Sequence, residues 1–481
     1  MDLEEYATYD GAGLAQLVKQ RKVTAKELAE LMLEGVDKIN PKINAVIETY
    51  SESVRALANN HGIKGIFGGV PFLLKDIGAT EQGRRQESGS RLKRGFVADQ
   101  DTFLTSRFKE TGLTLLGRTT TPEFALASTT ESVLMGATRN PWNLEMMAGG
   151  SSGGSAACVA AGILPVAHAS DGGGSIRIPA SACGVVGLKP SRGRVTFGPN
   201  RAESWGGLSQ EFVVSRSVRD TALMLDAVSQ PMLGDPFIVV QPQRPYREEV
   251  NAPTGKLRIA WTTNSWRPDV PVDKEVIGCI EEVANESQRM GHEVSEASPI
   301  FDYEEYLIAF SNVISLGVDV GIDILSATLR RPVSKETLEP VTLSYYHYAK
   351  GLTSKDLVRT DELLNKIRRT FGAFFQKYDI LLTPTLSLLP QPIGKYALSR
   401  SDLEFVEYNR LTDEINMHTA PVNIIGYPAV SLPLGQSKSA LPIGAQFIAR
   451  FGDEATLIRL ASAFEHNMPW LDRIPPVHVS R

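Results

Sequence analysis

The sequence predicts an α/β fold, a central sheet with helices on its faces, built as a single large domain over 1–481. Three observations predict it. Short apolar runs alternate with longer amphipathic ones from about residue 24 onward, the pattern of strands alternating with helices. No internal repeat, low-complexity tract or linker interrupts that pattern. The composition, 42% hydrophobic and 22% charged over 481 residues, is that of an ordinary globular chain.

The elements follow in order. Thr24 and Glu27 form a capping box that opens a helix through about Ile39, with Leu28, Leu31, Val36 and Ile39 on one face. Residues 70–74 read as a buried strand that delivers Lys75 and Asp76 at its end. Asp101 is placed to cap a helix through Glu110, and 113–116 reads as the next strand. A small-residue helix around Cys158 precedes the strand-like ILPVAH. Residues 217–228 read as helical and 257–263 as a strand. Residues 273–290 form a helix stopped by Gly291, followed by the strand-like HEVSEA. Residues 301–375 differ: they are helical, cluster Tyr345, Tyr346 and Tyr348, and lack glycine-rich loops. Such a segment either covers a pocket or packs as an outer layer. Residues 378–386 and 422–433 return to short strands, and 454–468 close with an amphipathic helix.

Bulk properties exclude several functions. A net charge of −5 and the absence of a dense basic run argue against a nucleic-acid partner. Three scattered cysteines, Cys158, Cys183 and Cys279, make neither a metal spacing nor a disulfide framework. They read as buried thiols in a reducing, cytoplasmic setting. The N-terminal MDLEEYATYD has no apolar core of a signal peptide, and no 18-residue apolar stretch is evident, so no membrane span is expected. Seven spread histidines without HExxH argue against a metal site. No cofactor motif is present, and none is expected.

The chemistry concentrates at 149–180, GGSSGGSAACVAAGILPVAHASDGGGSIRIPA. Glycine-rich loops let backbone N–H groups approach a ligand, and a serine among them can attack while the amides hold an oxyanion. The serine needs a base, and three arrangements compete. Gly150-Ser151-Ser152-Gly153-Gly154 matches G-x-S-x-G, but NPWNLEMMA before it makes no convincing strand. Ser106–Lys109 matches S-x-x-K on what reads as an exposed helix face. Lys75 follows five uncharged residues, and a lysine at the edge of an apolar core loses its proton more easily. Against that stands the ordinary fate of such a lysine, at the surface. Composition alone does not bring it to Ser151 and Ser175. His168, in an apolar strand, reads as a core histidine.

The chain resembles the amidase signature family. The resemblance rests on GVPFLLKD, GGSSGGSAA and SDGGGSIRIPA in that order. It extends through TPEF at 121–124, ATRNPWN at 137–143, GLKPSRGRV at 187–195, APVNIIGYPAVSLPLG and LPIGAQFIA. It implies one α/β domain whose sheet is mixed and mostly parallel in type, wrapped by helices. It implies carboxamide hydrolysis by a Ser–cisSer–Lys triad: Ser175 as nucleophile, Ser151 as relay after a cis peptide bond, Lys75 as base. The implied oxyanion hole is the N–H groups of Gly172, Gly173, Gly174 and Ser175. Asp171 and Arg177 are implied to hold the loop, and Ser152 to hydrogen-bond near the triad. Ala125 and Leu126, directly after TPEF, are the candidate substrate-binding residues.

The chain departs from the common family wording at Gly172, where many members have threonine. More room near the acyl position is the expected result. Ile178 stands where tRNA-dependent amidotransferase subunits commonly have glutamine. The wording is closer to stand-alone amidases such as the 6-aminohexanoate cyclic dimer hydrolases. The expected partner is a small amide, linear, aryl or cyclic, and the candidate assembly is a homodimer. The alternatives are a carbamate or ester hydrolase, a glutamine-hydrolysing amidotransferase subunit, or a non-catalytic paralogue.

Overall fold

A helix that begins at a capping box and ends at a left-handed asparagine opens the core. The computed structural model describes residues 1–57 and 63–481. Thr24 Oγ1 accepts from Glu27 N, and Glu27 accepts from Thr24 N at 2.7 Å, starting the helix Ala25–Ile43. Asn44 ends it at φ 49°, and the Asn40 side chain accepts from Ala45 N and Val46 N, steering the chain into the strand Val46–Thr49. That strand lies in a three-stranded sheet, ordered Val46–Thr49, Thr114–Thr119, Pro71–Lys75.

The main sheet has eight strands. In spatial order they are Glu293–Glu296, Arg258–Trp261, Ile380–Pro384, Pro442–Ala449, Ala429–Gln436, Val186–Lys189, Gln210–Ser215 and Val166–Asp171. The sheet is mixed, as the sequence predicts, but its pairing is not mostly parallel. Two pairs are parallel and five antiparallel. For one of the antiparallel pairs the connection dictates the direction. Residues 437–441 join two neighbouring strands directly, and a turn that short permits only antiparallel pairing.

Other expectations shift locally. Thr102, not Asp101, caps the helix Phe103–Glu110; Asp101 instead accepts from Gln82 N and Lys109 Nζ. Residues 422–425 belong to the helix Ala420–Ile425, and the strand begins only at Ala429. A short apolar run does not distinguish a buried strand from a buried helix. Asn143–Met147 is a strand after all, paired with Arg139–Asn140 in a hairpin outside the main sheet. The three cysteines are free and buried.

Residues 301–375 fold into the helices Tyr303–Leu329, Pro340–Lys350 and Ser354–Lys377, the last running to 377. Phe310, Tyr345, Leu364 and Phe371 join them in a second apolar cluster. The helix Tyr303–Leu329 corrects the expectation of no membrane-length apolar stretch: its 27 residues reach a mean hydropathy of 1.7 over an 18-residue window. Isolated serines, glycines and aspartates hide that average from a search for unbroken apolar runs. Half of the window is buried inside the protein.

Candidate active site

Three elements deliver the central residues. The strand Pro71–Lys75 ends on Lys75, the helix Gly153–Ala160 starts just after Ser151, and Ser175 lies between the strand Val166–Asp171 and the helix Arg177–Cys183. Lys75 Nζ lies 2.7 Å from Ser151 Oγ and 2.9 Å from Ser170 Oγ. The Gly150–Ser151 peptide bond is cis. Burial pushes the Lys75 pKa down to about 7, against the opposite pull of Glu211 and Asp171. A neutral Nζ can accept the Ser151 proton while donating to Ser170.

Ser175 is half-buried, and Ser152 N donates to its carbonyl at 3.3 Å. Among the described residues its hydroxyl makes no hydrogen bond. Catalytic hydrogen bonds commonly close only when substrate is bound. Ser151 and Ser175 line one common cavity.

The glycine loop corrects one assignment. Gly174 N donates to Asp171 Oδ1 at 2.7 Å, so that N–H is already taken. The N–H groups of Gly172, Gly173 and Ser175 have no acceptor among the described residues, and they are the donors left for an oxyanion. Arg177 binds both Asp171 oxygens at 2.9 Å and also donates to Thr419 O, Gln446 Oε1 and Asn423 Oδ1. Burial alone would raise the Asp171 carboxyl; Arg177, Lys189 and Asn423 outweigh it and hold it well below the usual range. Ser152 Oγ donates to Ser170 O and accepts from Ser170 N, tying the two loops together.

Sequence reasoning missed Ser170, Glu211, Asn423 and Gln446, while His168 is the buried strand histidine it predicts. The Lys75 backbone N–H donates to His168 Nδ1 at 3.1 Å, which leaves Nε2–H to donate to Glu211 Oε2 at 2.8 Å. The ring therefore supports the lysine-bearing strand and does more than fill the core. Ser170 adjoins Asp171 in SDGGGS, and that adjacency was the one available signal.

Two cavities meet at Ser175. The larger, about 470 Å³, also includes Ser151, Ser170 and Gly172. The smaller, about 40 Å³, includes Ala125, Leu126, Gly173, Phe310 and Asp413. Burial pushes the Asp413 carboxyl up to about 7, against the pull of Arg267. Phe124 and Ala125 both hold positive φ, 48° and 62°, a conformation uncommon outside glycine. Leu307, Phe310 and Ile314 of the 301–375 segment line the smaller cavity; Gly317, Val318 and Ile322 line the larger.

Trp205 lines both cavities. Its ring is pressed between two glycines: a Cβ at Gly172 would sit 2.5 Å from it, and one at Gly317 2.8 Å. The extra room expected at Gly172 is therefore filled by indole. Ser106–Lys109 lies apart, with Lys109 paired to Glu81 and Asp101.

Comparison with known proteins finds relatives along nearly the whole chain. The profile of a family described as Amidase matches residues 27–458. A 6-aminohexanoate-cyclic-dimer hydrolase of Paenarthrobacter ureafaciens is 36% identical, over 97% of this chain and 96% of that relative. An acylamidase of Rhodococcus erythropolis is 32% identical, over 96% of each. The solved structure of a 6-aminohexanoate cyclic dimer hydrolase complexed with substrate superposes with a TM-score of 0.92, at 34% identity, covering 98% of this chain and 99% of that one.

Proposed function

This chain belongs to the amidase family, and from that premise we propose that it cleaves its amide through an acyl-enzyme on Ser175. It hydrolyses the carbon–nitrogen bond of a small amide, the activity its family and relatives share. The observation that carries the assignment is the 2.7 Å approach of Lys75 Nζ to Ser151 Oγ, beside a cavity shared with Ser175.

Neutral Lys75 takes the Ser151 proton, and Ser151 takes the Ser175 proton. Ser175 Oγ bonds to the carbonyl carbon, and the resulting oxyanion rests on the N–H groups of Gly172, Gly173 and Ser175. The C–N bond then breaks. Ser151 protonates the departing amine and regains its proton from Lys75. Water attacks the ester and gives its proton to Ser151 and Lys75; that proton returns through Ser151 to Ser175 Oγ as the C–O bond breaks, and the released acid ionises to a carboxylate.

Ser151 lines the larger cavity and not the smaller. The amine it protonates therefore departs through the larger cavity, and the acyl half occupies the smaller one. Two lobes on either side of one serine suit a small oligoamide, cyclic or linear, in keeping with the name of the 6-aminohexanoate-cyclic-dimer hydrolases.

The test is a screen of purified enzyme over primary, anilide, cyclic and linear amides, with esters, carbamates and glutamine for contrast. Acid-quenched enzyme is then digested for mass spectrometry. The expected result is fastest turnover of an oligoamide and an acyl adduct on the peptide holding Ser175. Turnover without any adduct on that peptide, under conditions where acylation outruns deacylation, overturns the nucleophile.

A further inference from the structure

The larger cavity carries a charged feature that the hydrolytic step does not use. Lys93 lines it and is 8% exposed. Its Nζ donates to Gln86 Oε1 at 2.9 Å and Ser88 Oγ at 3.1 Å, both neutral, and lies 4.8 Å from the Phe96 ring centre. Among the described residues no carboxylate lies within ion-pair distance of it. The carboxylates that bear on it, Asp76 and Glu87, are both engaged by Arg118. Arg201, which lines the same cavity, is a second cation acting on Lys93.

A buried ammonium normally sits beside a carboxylate, because neutral acceptors only partly replace lost hydration. The opposing acids of the cavity do not fill that role. Glu211 is held by His168, and Asp99 is exposed. Nζ has three N–H donors and two of them are engaged, so one remains.

We propose that Lys93, with Arg201, forms an anion subsite for the departing half of the substrate, so that the preferred substrates are amides whose amine carries a terminal carboxylate. N-acyl ω-amino acids and linear oligoamides with a free acid end are that class. The inference rests on the reading that the amine leaves through the larger cavity. Burial draws the Lys93 pKa down to about 8, and a bound carboxylate would draw it back up. In a linear oligoamide the anchored carboxylate sets which amide lies against Ser175. Cleavage then releases the terminal ω-amino acid unit.

The experiment compares two amides that share one short acyl group. One has a six-carbon ω-amino acid as its amine, the other hexylamine. The expected kcat/KM of wild-type enzyme is about 10- to 100-fold higher for the carboxylate amide, expressed mainly in KM. Lys93→Gln should collapse that ratio, and Lys93→Arg should keep most of it. Equal use of both amides by wild type, or a ratio that survives Lys93→Gln, overturns the subsite. A structural role for Lys93 would lower both rates alike and leave the ratio standing. Should Lys93→Gln not fold, wild-type inhibition decides: the free ω-amino acid should inhibit more tightly than hexylamine, and equal inhibition overturns the proposal. The underlying reading, that the amine leaves through the larger cavity, fails separately if the Lys93-dependent preference appears instead for amides that carry the carboxylate on the acyl half.

Discussion

Lys75 and Ser151 meet at 2.7 Å with both side chains closed to solvent, at 1% and 0% exposure. Burial is the dominant influence on that lysine and sets its pKa near 7. Only the neutral amine accepts a proton. The rate should therefore rise with pH through about 7, a lower midpoint than a solvent-exposed lysine would give. The stability sign follows from the same shift. Between about 7 and 10.5 the unfolded chain holds a proton that the folded chain has released, so Lys75 makes stability rise with pH across that window. A kcat/KM profile flat from pH 5 to pH 9 would refute the lysine base.

Ser175→Ala should remove turnover by about a thousandfold or more, as loss of a nucleophile does in other serine hydrolases. Folding should survive within about 0.5 kcal/mol, because the hydroxyl is half-buried and makes no hydrogen bond among the described residues. Paired measurements of initial rate and urea unfolding check this. Near-wild-type activity would move the nucleophile elsewhere.

Arg177 holds Asp171, and both are closed to solvent. Arg177→Ala leaves the Asp171 charge buried without its main partner, at a cost of about 3–5 kcal/mol. Denaturant unfolding should show that loss together with collapse of activity, since Asp171 also receives Gly174 N and Ile176 N. Because the folded carboxyl is depressed, its contribution is present above about pH 4 and fades as pH falls below that. A variant as stable as wild type at pH 7 would contradict the bridging role.

The local parts of this arrangement were legible in the sequence, and the long-range parts were not. Thr24 and Glu27 stand three residues apart, and their capping box reads directly from the chain. The two serine–glycine loops announce a nucleophile for the same reason. Lys75 reached the site only through family resemblance, since 76 residues separate it from Ser151. His168 and Glu211 lie 43 residues apart and on different strands, and Arg177 and Gln446 lie 269 apart. No period or spacing encodes such pairs. Pairing direction in the sheet was misread because neither the resemblance nor the alternation of strands and helices, which reports layers, fixes the direction of each strand pair.

Glu211 tunes Lys75 from a distance. Burial lowers the lysine pKa, and the Glu211 charge partly restores it. Glu211→Gln removes that support, so the pH limb of kcat/KM should move below about 7. Its neutral amide can still accept from His168 Nε2–H, so the strand geometry should persist. A structural role alone would lower the rate without moving the limb. A limb that stays put or moves upward would show that Glu211 does not act on Lys75.

Trp205 partitions the two cavities that meet at Ser175, and its ring is seated between Gly172 and Gly317. The smaller cavity, about 40 Å³ against about 470 Å³, is the narrower of the two lobes. Trp205→Ala should open one lobe into the other. We expect kcat/KM to rise for amides of bulky acids and to fall for short-chain amides, which lose an orienting wall. A Gly172→Ala enzyme provides the opposing control, because the added methyl must displace the indole. Kinetics on an acyl-length series checks both variants. A parallel loss across the whole series in Trp205→Ala would mean that the indole supports the fold without setting acyl size.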